Sequence, residues 1–571
     1  MKEHLVKTVV LSSLYKLFPE IEPKVGKTMS LSGLKNEPVS FQLAYRLFSE
    51  NAGSMSFFVK IETDLPVSLY DEGFVPVSNT DNPKLSEHYR SGLFADMLLP
   101  KSVNPKVEIG SFPWADRYFE KDNIQFHAVR DSWKAMWLTV NEDGKTVAPG
   151  EHTIGIKLFS RNDAQLIGEC SITVNIIDAK LPKQKLIYTN WFHCDCLADI
   201  YGEEMFSDKF WKIFRSFTSA AVKNGMNMIL TPCFTPPLDT PIGGERKTVQ
   251  LVGVEVNNGK YSFDFSLLKR YLDESRKCGI EYFEHSHFFT QWGAEHAPKI
   301  MATVDGKYKR IFGWSTVAWG KKYTEFLHAY IPSLLRFLKA EKLDKKFFFH
   351  ISDEPTPSMH ESYRKAKSAV GDLLDGYAVG DALSHYEFYE DGTVGTPIVS
   401  TDRVTDFFGR CDNLWCYYTG GQCSEGMSNR MINCSSERNR MLGIHMYAHN
   451  VKGFLHWGYN YYYDVLSHGL FDPKTEPCLY NGASPGTSFF VYPSSDGKAI
   501  QSIRQKVFYE GLNDMRALQL SEELKGREYT MKLIEKYYGK VTFLTPAESE
   551  EKLLGFREEL NKIIGSSIKE R

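Results

Sequence analysis

Two adjacent carboxylates, Asp353 and Glu354, end an apolar run that begins at Phe347, and Pro355 follows them directly. Such a run is typical of a strand in a parallel sheet that is covered on both faces. Barrel and open-sheet enzymes place catalytic groups at the carboxyl ends of these strands. The pattern therefore predicts acid–base chemistry at this pair. The alternative is that Asp-Glu-Pro only begins the helix expected over 358–370, because acids favour the positive end of a helix dipole.

The adjacency of the two carboxylates restricts the mechanism. In a regular strand they would point to opposite faces, so both reach one site only if the backbone turns there. Pro355 favours such a break and is expected to keep Glu354 extended. Neighbouring residues, with Cα atoms ~3.8 Å apart, approach a sugar from one side. An enzyme nucleophile instead requires carboxylates on opposite sides of the sugar ring, ~5 Å apart, and inversion requires ~6.5 to 9.5 Å with a water between.

Two carboxylates that approach the sugar from the same side suit a substrate-assisted reaction. In that reaction the 2-acetamido oxygen of the sugar attacks the anomeric carbon, one carboxylate steadies the acetamido N–H, and the other protonates the leaving oxygen. The competing enzyme hypotheses are a different hexosaminidase specificity and a glycosidase that uses a distant second carboxylate such as Glu284. A carbohydrate-binding barrel without turnover is the competing non-enzyme hypothesis, since fold and binding do not establish catalysis.

Composition excludes several classes of function. The chain has 571 residues, 24% of them charged, and a net charge of −3, which does not match a nucleic-acid binder and favours a small neutral substrate. Ten scattered cysteines indicate free thiols. No apolar stretch approaches the ~20 residues of a membrane span, and Met1 to Pro19 make a poor signal peptide, so a cytoplasmic location without membrane insertion is predicted. No metal or cofactor is predicted, because His285-x-His287 and Cys194-x-Cys196 lack zinc-site spacing.

Periodicity divides the chain into three parts. Alternation of period two over residues 1–180 predicts an N-terminal β-sandwich. Apolar strands then alternate with helical patterns over 185–525, which predicts a (β/α)8 TIM-like barrel. Residues 526–571 are predicted to form a helical C-terminal extension packed on the barrel. The eight predicted barrel strands are 186–193, 226–230, 280–285, the strand that carries Asp353 and Glu354, 376–380, 397–400, 414–418 and 453–457.

Three segments resemble glycoside hydrolase family 123, the β-N-acetylgalactosaminidases, and related barrel proteins. They are His350-Ile-Ser-Asp-Glu-Pro355, Tyr492-Pro-Ser-Ser-Asp-Gly-Lys with the helix that follows it, and Pro149-Gly-Glu-His-Thr-Ile-Gly-Ile156. The resemblance implies retaining hydrolysis of terminal β-linked N-acetylgalactosamine (GalNAc) through an oxazoline intermediate. Asp353 would then orient the acetamido group and remain ionised. Glu354, with a raised pKa, would act as general acid and then as general base.

Other residues at predicted strand ends are candidates for substrate binding, with core packing as the alternative for each. By analogy with related hexosaminidases, a late-strand tyrosine binds the acetamido carbonyl and tryptophans wall the pocket. The candidates are Asn190, His285, Tyr417, Tyr418, Trp457 and Tyr459. Arg504 is expected to hold the final helix and not the substrate. The linkage, the aglycone, the oligomeric state and the residue that recognises an axial 4-hydroxyl are not predicted by the sequence.

Overall fold

The computed structural model describes residues 5–24, 31–50, 52–78, 91–105, 124–424, 426–478 and 484–570. Its elements are numbered here in chain order, β1 to β24 and α1 to α10. Within the described residues, no helix is both long enough and apolar enough to cross a membrane.

The N-terminal region consists of two β-sheets that enclose an apolar core. Phe41 and Leu138 of one sheet and Ile61 and Ile156 of the other belong to the same buried cluster, the arrangement expected when two alternating sheets face each other. The strands are β1 (Val6–Ser12), β2 (Leu31–Leu34), β3 (Val39–Leu47), β4 (Ser54–Glu62), β5 (Val67–Val77), β6 (Gly92–Lys101), β7 (Phe126–Val129), β8 (Lys134–Val140), β9 (Gly150–Ser160) and β10 (Leu166–Ile177).

The larger N-terminal sheet also contains two strands from far along the chain. Its order is β1-β3-β8-β5-β6-β24-β23, where β23 is Val491–Pro493 and β24 is Ala499–Ser502. The second sheet has the order β2-β10-β9-β4-β7. The segment around Tyr492 therefore extends the N-terminal sheet by antiparallel pairing of β24 with β6 and does not contribute a strand to the barrel.

Eight parallel strands then form a closed barrel, as the apolar runs predict. In barrel order they are β11 (Ile187–Asn190), β12 (Met228–Thr231), β15 (Tyr282–His285), β18 (Phe347–Phe349), β19 (Ala378–Leu383), β20 (Thr396–Ser400), β21 (Trp415–Tyr417) and β22 (Gly453–His456). Pairing of β22 with β11 closes the barrel. A small sheet formed by β13 (Gly253–Asn257), β14 (Lys260–Asp264), β16 (Ile300–Val304) and β17 (Lys307–Phe312) lies in the connections after β12 and β15.

The ring of helices around the barrel is irregular among the described residues. The helices are α1 (Cys194–Ile200), α2 (Asp208–Lys223), α3 (Ser266–Cys278), α4 (Lys321–Ala340), α5 (His360–Val370), α6 (Glu387–Glu390), α7 (Ser436–Ala448), α8 (Ile503–Lys525), α9 (Arg527–Tyr538) and α10 (Glu550–Lys569). Only the four-residue α6 connects β19 to β20, and a 3₁₀ turn at Val404–Phe407 connects β20 to β21. The regular (β/α)8 pattern is thus incomplete at these two connections.

The C-terminal helices link the barrel to the N-terminal sheets. The Glu558 side chain on α10 accepts hydrogen bonds from the backbone N–H and hydroxyl of Ser32 in β2. The buried Arg557 guanidinium bonds both Asp514 of α8 and Glu37. Arg504 pairs with Asp96 of β6 at 2.9 Å, so it fixes helix α8 to the N-terminal sheet. The extension packs against both regions and not only on the barrel.

Candidate active site

Asp353 and Glu354 lie on a turn that leaves the barrel strand. Strand β18 ends at Phe349, so the pair sits in the loop at the carboxyl end of the barrel. Both side chains are half-buried. The φ angle of Glu354 is 44°, in the left-handed region, and the expectation that Pro355 keeps this residue extended is therefore wrong. A non-glycine residue held in this region is strained and needs support from its surroundings.

Hydrogen bonds from both neighbouring strand ends hold the turn in place. On one side, the backbone N–H groups of Phe288 and Trp292 donate to the carbonyl oxygens of His350 and Asp353 at 3.1 and 3.3 Å. On the other side, the N–H of Glu354 donates to the carbonyl of Ala382 at 3.1 Å. The loop is thus fixed between the ends of β15 and β19, which explains how a strained backbone persists there.

A buried ionic chain lies beneath the turn. His350 places its Nε2 3.1 Å from Glu284 and its Nδ1 3.2 Å from Asp381. Asp381 also accepts the backbone N–H groups of Ile351 and Ser352 at 3.0 and 3.1 Å. Burial alone would lower the pKa of His350, but the two flanking carboxylates outweigh it and raise that pKa to about 9. Glu284 is fully buried and paired with His350, an environment that disfavours the hypothesis in which Glu284 is a distant second catalytic carboxylate.

Raising the pH should destabilise the protein through His350. A histidine pKa of about 9 in the folded state, against about 6.5 when unfolded, gives stability that is complete below pH ~6.5 and is lost as the pH rises through ~9. The contribution amounts to about 3 kcal/mol. Melting temperatures of the wild type and of His350→Gln, measured from pH 6 to pH 10, test this. The wild-type advantage should shrink with rising pH, and an advantage independent of pH would contradict the assignment.

Tyr417 contacts the catalytic candidate Glu354 directly. Its hydroxyl donates to Glu354 Oε1 at 2.5 Å. Tyr417 shares an apolar cluster with Trp191, Leu238 and, at its edge, Trp457, and this cluster lines the barrel interior. The strand-end tyrosine predicted at this position thus lies beside the carboxylate pair.

The electrostatics of the free enzyme differ from the expectation for Asp353. Burial raises the pKa of the Asp353 carboxyl well above its usual range, and the neighbouring charges of Glu354, Asp381 and Asp239 raise it further, with His350 opposing them. This direction is opposite to the one expected for a carboxylate that stays ionised. The physical reason is that three other carboxylates share this poorly solvated site with it.

The same region holds a group of residues with metal-ligand chemistry. Atoms of His287, His350 and Asp381 lie within 4.8 Å of one another. Both nitrogens of His350 already face carboxylates, and the two imidazoles stack with centroids 4.6 Å apart and planes only 24° apart. Because nitrogen lone pairs lie in the ring planes, those of two stacked rings do not converge on one ion. The group is better described as an ion cluster with a stacked histidine.

Comparison with known proteins identifies the barrel. The family model described as the glycoside hydrolase 123 catalytic domain matches residues 191–521, more than half of the chain. The chain belongs to glycoside hydrolase family 123. A search of curated proteins found no match. The matched range begins in the barrel at Trp191 and includes both Asp353 and Glu354 together with most of helix α8.

A solved structure shares the architecture of this family member. A family 123 glycoside hydrolase from Clostridium perfringens, whose structure was analysed for the details of glycolipid glycan hydrolysis, aligns with a TM-score of 0.69 at 11% identity, covering 99% of this chain and 97% of that one. A putative β-galactosidase from Bacteroides fragilis aligns with a TM-score of only 0.31 at 8% identity, covering 83% of this chain and 58% of that chain. The first alignment supports the fold, and the second carries no argument.

Four of the residues predicted to bind substrate face away from the carboxylate pair of this family 123 site. Asn190 accepts a hydrogen bond from Arg430 at 2.8 Å, and His285 bonds Tyr330 of α4 at 2.8 Å. Tyr418 packs against Phe454, and Tyr459 donates its hydroxyl to the Phe217 carbonyl at 2.8 Å. The sequence neighbours of His285 and Tyr418, which are Glu284 and Tyr417, face inward instead, because strand side chains alternate between the two sides of a barrel wall. Tyr417 and Trp457 are the two that remain at the barrel mouth.

Two residues at the barrel mouth are not among the six predicted substrate-binding residues. Asp239 lies in the loop after β12, and its charge and that of Glu354 influence each other. His287 lies after β15, stacked on His350 and edge-on to Trp191 at 5.1 Å. Alternation does not identify His287, because β15 ends two residues before it and the loop sets its direction. No sequence pattern marks Asp239 either.

Proposed function

We propose that this family 123 member is a retaining exo-β-N-acetylgalactosaminidase. It would remove terminal β-linked GalNAc from glycans or glycolipid oligosaccharides through an oxazoline intermediate. The observation that carries the proposal is the placement of Asp353 and Glu354 on one tight turn, while the inward carboxylate of Glu284 is paired with His350. Family membership and the glycolipid glycan hydrolysis studied in the Clostridium perfringens enzyme support the choice of substrate class.

Substrate binding would set the protonation states that the reaction needs. In the free enzyme the pKa of Asp353 is raised. An acetamido N–H that donates to Asp353 favours its ionised form, so the proton of the pair would pass to Glu354. Glu354 would then protonate the leaving oxygen while the acetamido oxygen attacks the anomeric carbon. In the second step Glu354 would activate the water that opens the oxazoline.

A panel of three aryl glycosides tests the proposed substrate. The β-N-acetylgalactosaminide, the β-N-acetylglucosaminide and the β-galactoside with the same phenol are compared by kcat/KM. We expect cleavage of the first, much weaker cleavage of the second and none of the third. Preferential cleavage of the galactoside would contradict acetamido participation. Failure to cleave any of the three would favour a carbohydrate-binding protein.

A further inference from the structure

Asp239 presents a carboxylate without hydrogen-bond donors at the barrel mouth. Its side chain is half-buried and makes no hydrogen bond or ion pair with any residue that the structure describes. The preceding Leu238 packs into the interior cluster with Trp191 and Tyr417. The loop therefore places Asp239 over the same opening that Glu354 and Tyr417 share.

The backbone around Asp239 is fixed from two other loops. Its N–H donates to the Gln291 side-chain oxygen at 3.0 Å, and its carbonyl accepts the Ser467 hydroxyl at 2.6 Å. Its φ angle is 49°, in the left-handed region that aspartate tolerates better than most residues. This is the arrangement of a side chain held in position for a ligand, because the backbone is anchored while the carboxylate is left without donors.

The charges nearby indicate what the Asp239 carboxylate lacks. Burial and the charge of Glu354 raise the pKa of Asp239 to about 6, although the Arg246 guanidinium lowers it. Arg246 donates its own hydrogen bonds to Asp195, to His193 and to the Leu238 carbonyl. It supplies a nearby positive charge but no hydrogen bond to Asp239. Neutral hydrogen-bond donors would complete the bonds of this carboxylate without adding a second positive charge beside Arg246.

His287 gives a second and independent sign of a ligand. The side chain is 1% exposed, and neither ring nitrogen has a hydrogen-bond partner among the described residues. Burial lowers the pKa of His287 well below its ordinary value, so the ring is neutral and offers one donor and one acceptor. A buried imidazole without partners is costly unless a ligand completes its bonds. A sugar hydroxyl, itself both donor and acceptor, fits it.

We propose that Asp239 and His287 bind hydroxyl groups of the terminal sugar on the ring edge away from the anomeric carbon, and so determine which sugar is accepted. The two residues follow the adjacent strands β12 and β15, whereas Tyr417 ends β21 and Trp457 follows β22, on the other side of strand β11. A carboxylate accepts from two neighbouring hydroxyls at once, so Asp239 would receive two neighbouring hydroxyls of that edge. The inference rests on the proposed function, since the occupant is a terminal sugar.

Substrates that lack single hydroxyls test Asp239. The kcat/KM values of the wild type and Asp239→Asn are measured on the aryl glycoside that the wild type cleaves best and on its 3-, 4- and 6-deoxy forms. Loss of a hydrogen bond to a charged group costs about 10- to 100-fold in affinity. On the parent glycoside, the kcat/KM of Asp239→Asn should be lower than that of the wild type by about that factor. On the deoxy form that lacks the hydroxyl bound by Asp239, the kcat/KM values of the variant and the wild type should differ only a few-fold. Losses that multiply independently for every hydroxyl would overturn the proposal.

The control is Asp305→Asn, which changes another aspartate in the left-handed region, in the exposed turn between β16 and β17. It should match the wild type on all substrates. The outcome for Asp239 is separable from that of the proposed function, because the deoxy series runs on whichever parent is cleaved. If none is cleaved, calorimetric binding of the free sugars and their deoxy forms replaces kinetics. Affinity losses from the Asp239 substitution and from hydroxyl removal that multiply independently for every hydroxyl would then overturn the proposal.

His287→Phe separates ligand binding from packing. Phenylalanine keeps the ring that stacks on His350 and removes two buried nitrogens that have no partners among the described residues, so the melting temperature should stay equal or rise. The kcat/KM on the parent glycoside should nevertheless fall about 10-fold or more. A lower melting temperature with kcat/KM reduced equally on the parent and on every deoxy form would indicate a structural role and overturn the assignment of His287.

Discussion

Replacing Glu354 with glutamine is expected to abolish most hydrolysis of substrates with poor leaving groups. General acid catalysis contributes about 10²- to 10⁴-fold, and glutamine cannot donate the required proton. The loss in kcat/KM should be far smaller for an acidic phenol such as dinitrophenol, which departs without protonation. The side-chain amide still fits beside the Tyr417 hydroxyl, which donates to Glu354 Oε1 in the wild type. Rates on a series of aryl leaving groups measure the difference.

The matched control is Glu361→Gln, which changes an exposed glutamate on α5 that pairs with Lys365. It should leave all rates unchanged. Azide should accelerate Glu354→Gln on the acidic phenol by attacking the intermediate without base catalysis, and the product should be the β-glycosyl azide. Equal losses of Glu354→Gln on good and poor leaving groups would show that Glu354 is not the acid.

Replacing Asp353 with asparagine is expected to reduce hydrolysis of every substrate, whatever its leaving group. In the proposed mechanism each substrate passes through attack by the acetamido oxygen, while Asp353 orients that group and stabilises the charge that develops on its nitrogen. Loss of this charge in a poorly solvated site should cost about 10²- to 10³-fold. The leaving-group series on Asp353→Asn measures it, with Asp372→Asn on the exposed surface as control. A strong recovery on dinitrophenyl substrates would assign the acid role to Asp353 instead.

The same residue should govern the basic side of the pH profile. Burial and three neighbouring carboxylates raise the pKa of Asp353, and in the proposed mechanism the proton that it holds in the free enzyme passes to Glu354 when substrate binds. Because kcat/KM reports ionisations of the free enzyme, kcat/KM of the wild type should stay high above the usual titration range of an aspartate and fall once Asp353 loses its proton. Asp353→Asn should lose that step. A wild-type kcat/KM that already falls within the usual titration range of an aspartate would contradict the raised pKa.

The sequence predicts the barrel and the position of Asp353 and Glu354 at a strand end because both depend on local patterns. Each barrel strand is a short apolar run, and the carboxylates follow one of them directly. The pairing of β23 and β24 with the N-terminal sheet, in contrast, does not depend on a local pattern. Strand β24 pairs with β6 through Gln501 and Leu98, which lie far apart in the chain, and nothing in its own residues specifies a partner so distant.

Side-chain direction explains most of the differences at the candidate site. Tyr417 and Tyr418 are neighbours of the same type, yet only Tyr417 faces the interior. Successive side chains of a strand point to opposite faces, so only one of the two can face the barrel interior. The same rule separates Glu284 from His285. Asp239 required more than alternation, since it lies in a long loop whose path depends on contacts with other loops. Loop positions of this kind follow from tertiary contacts that no local pattern encodes.

The most direct test of the account is the effect of fluorination on the acetamido group. Aryl 2-acetamido-2-deoxy-β-galactosides with none, one, two or three fluorines on the acetyl methyl are compared under the same conditions by kcat/KM. Fluorine withdraws electrons from the carbonyl oxygen, so if that oxygen is the nucleophile the rate should fall at each step, by about 10²-fold or more over the series. Rates that do not depend on fluorination would contradict substrate assistance and require a separate enzyme nucleophile.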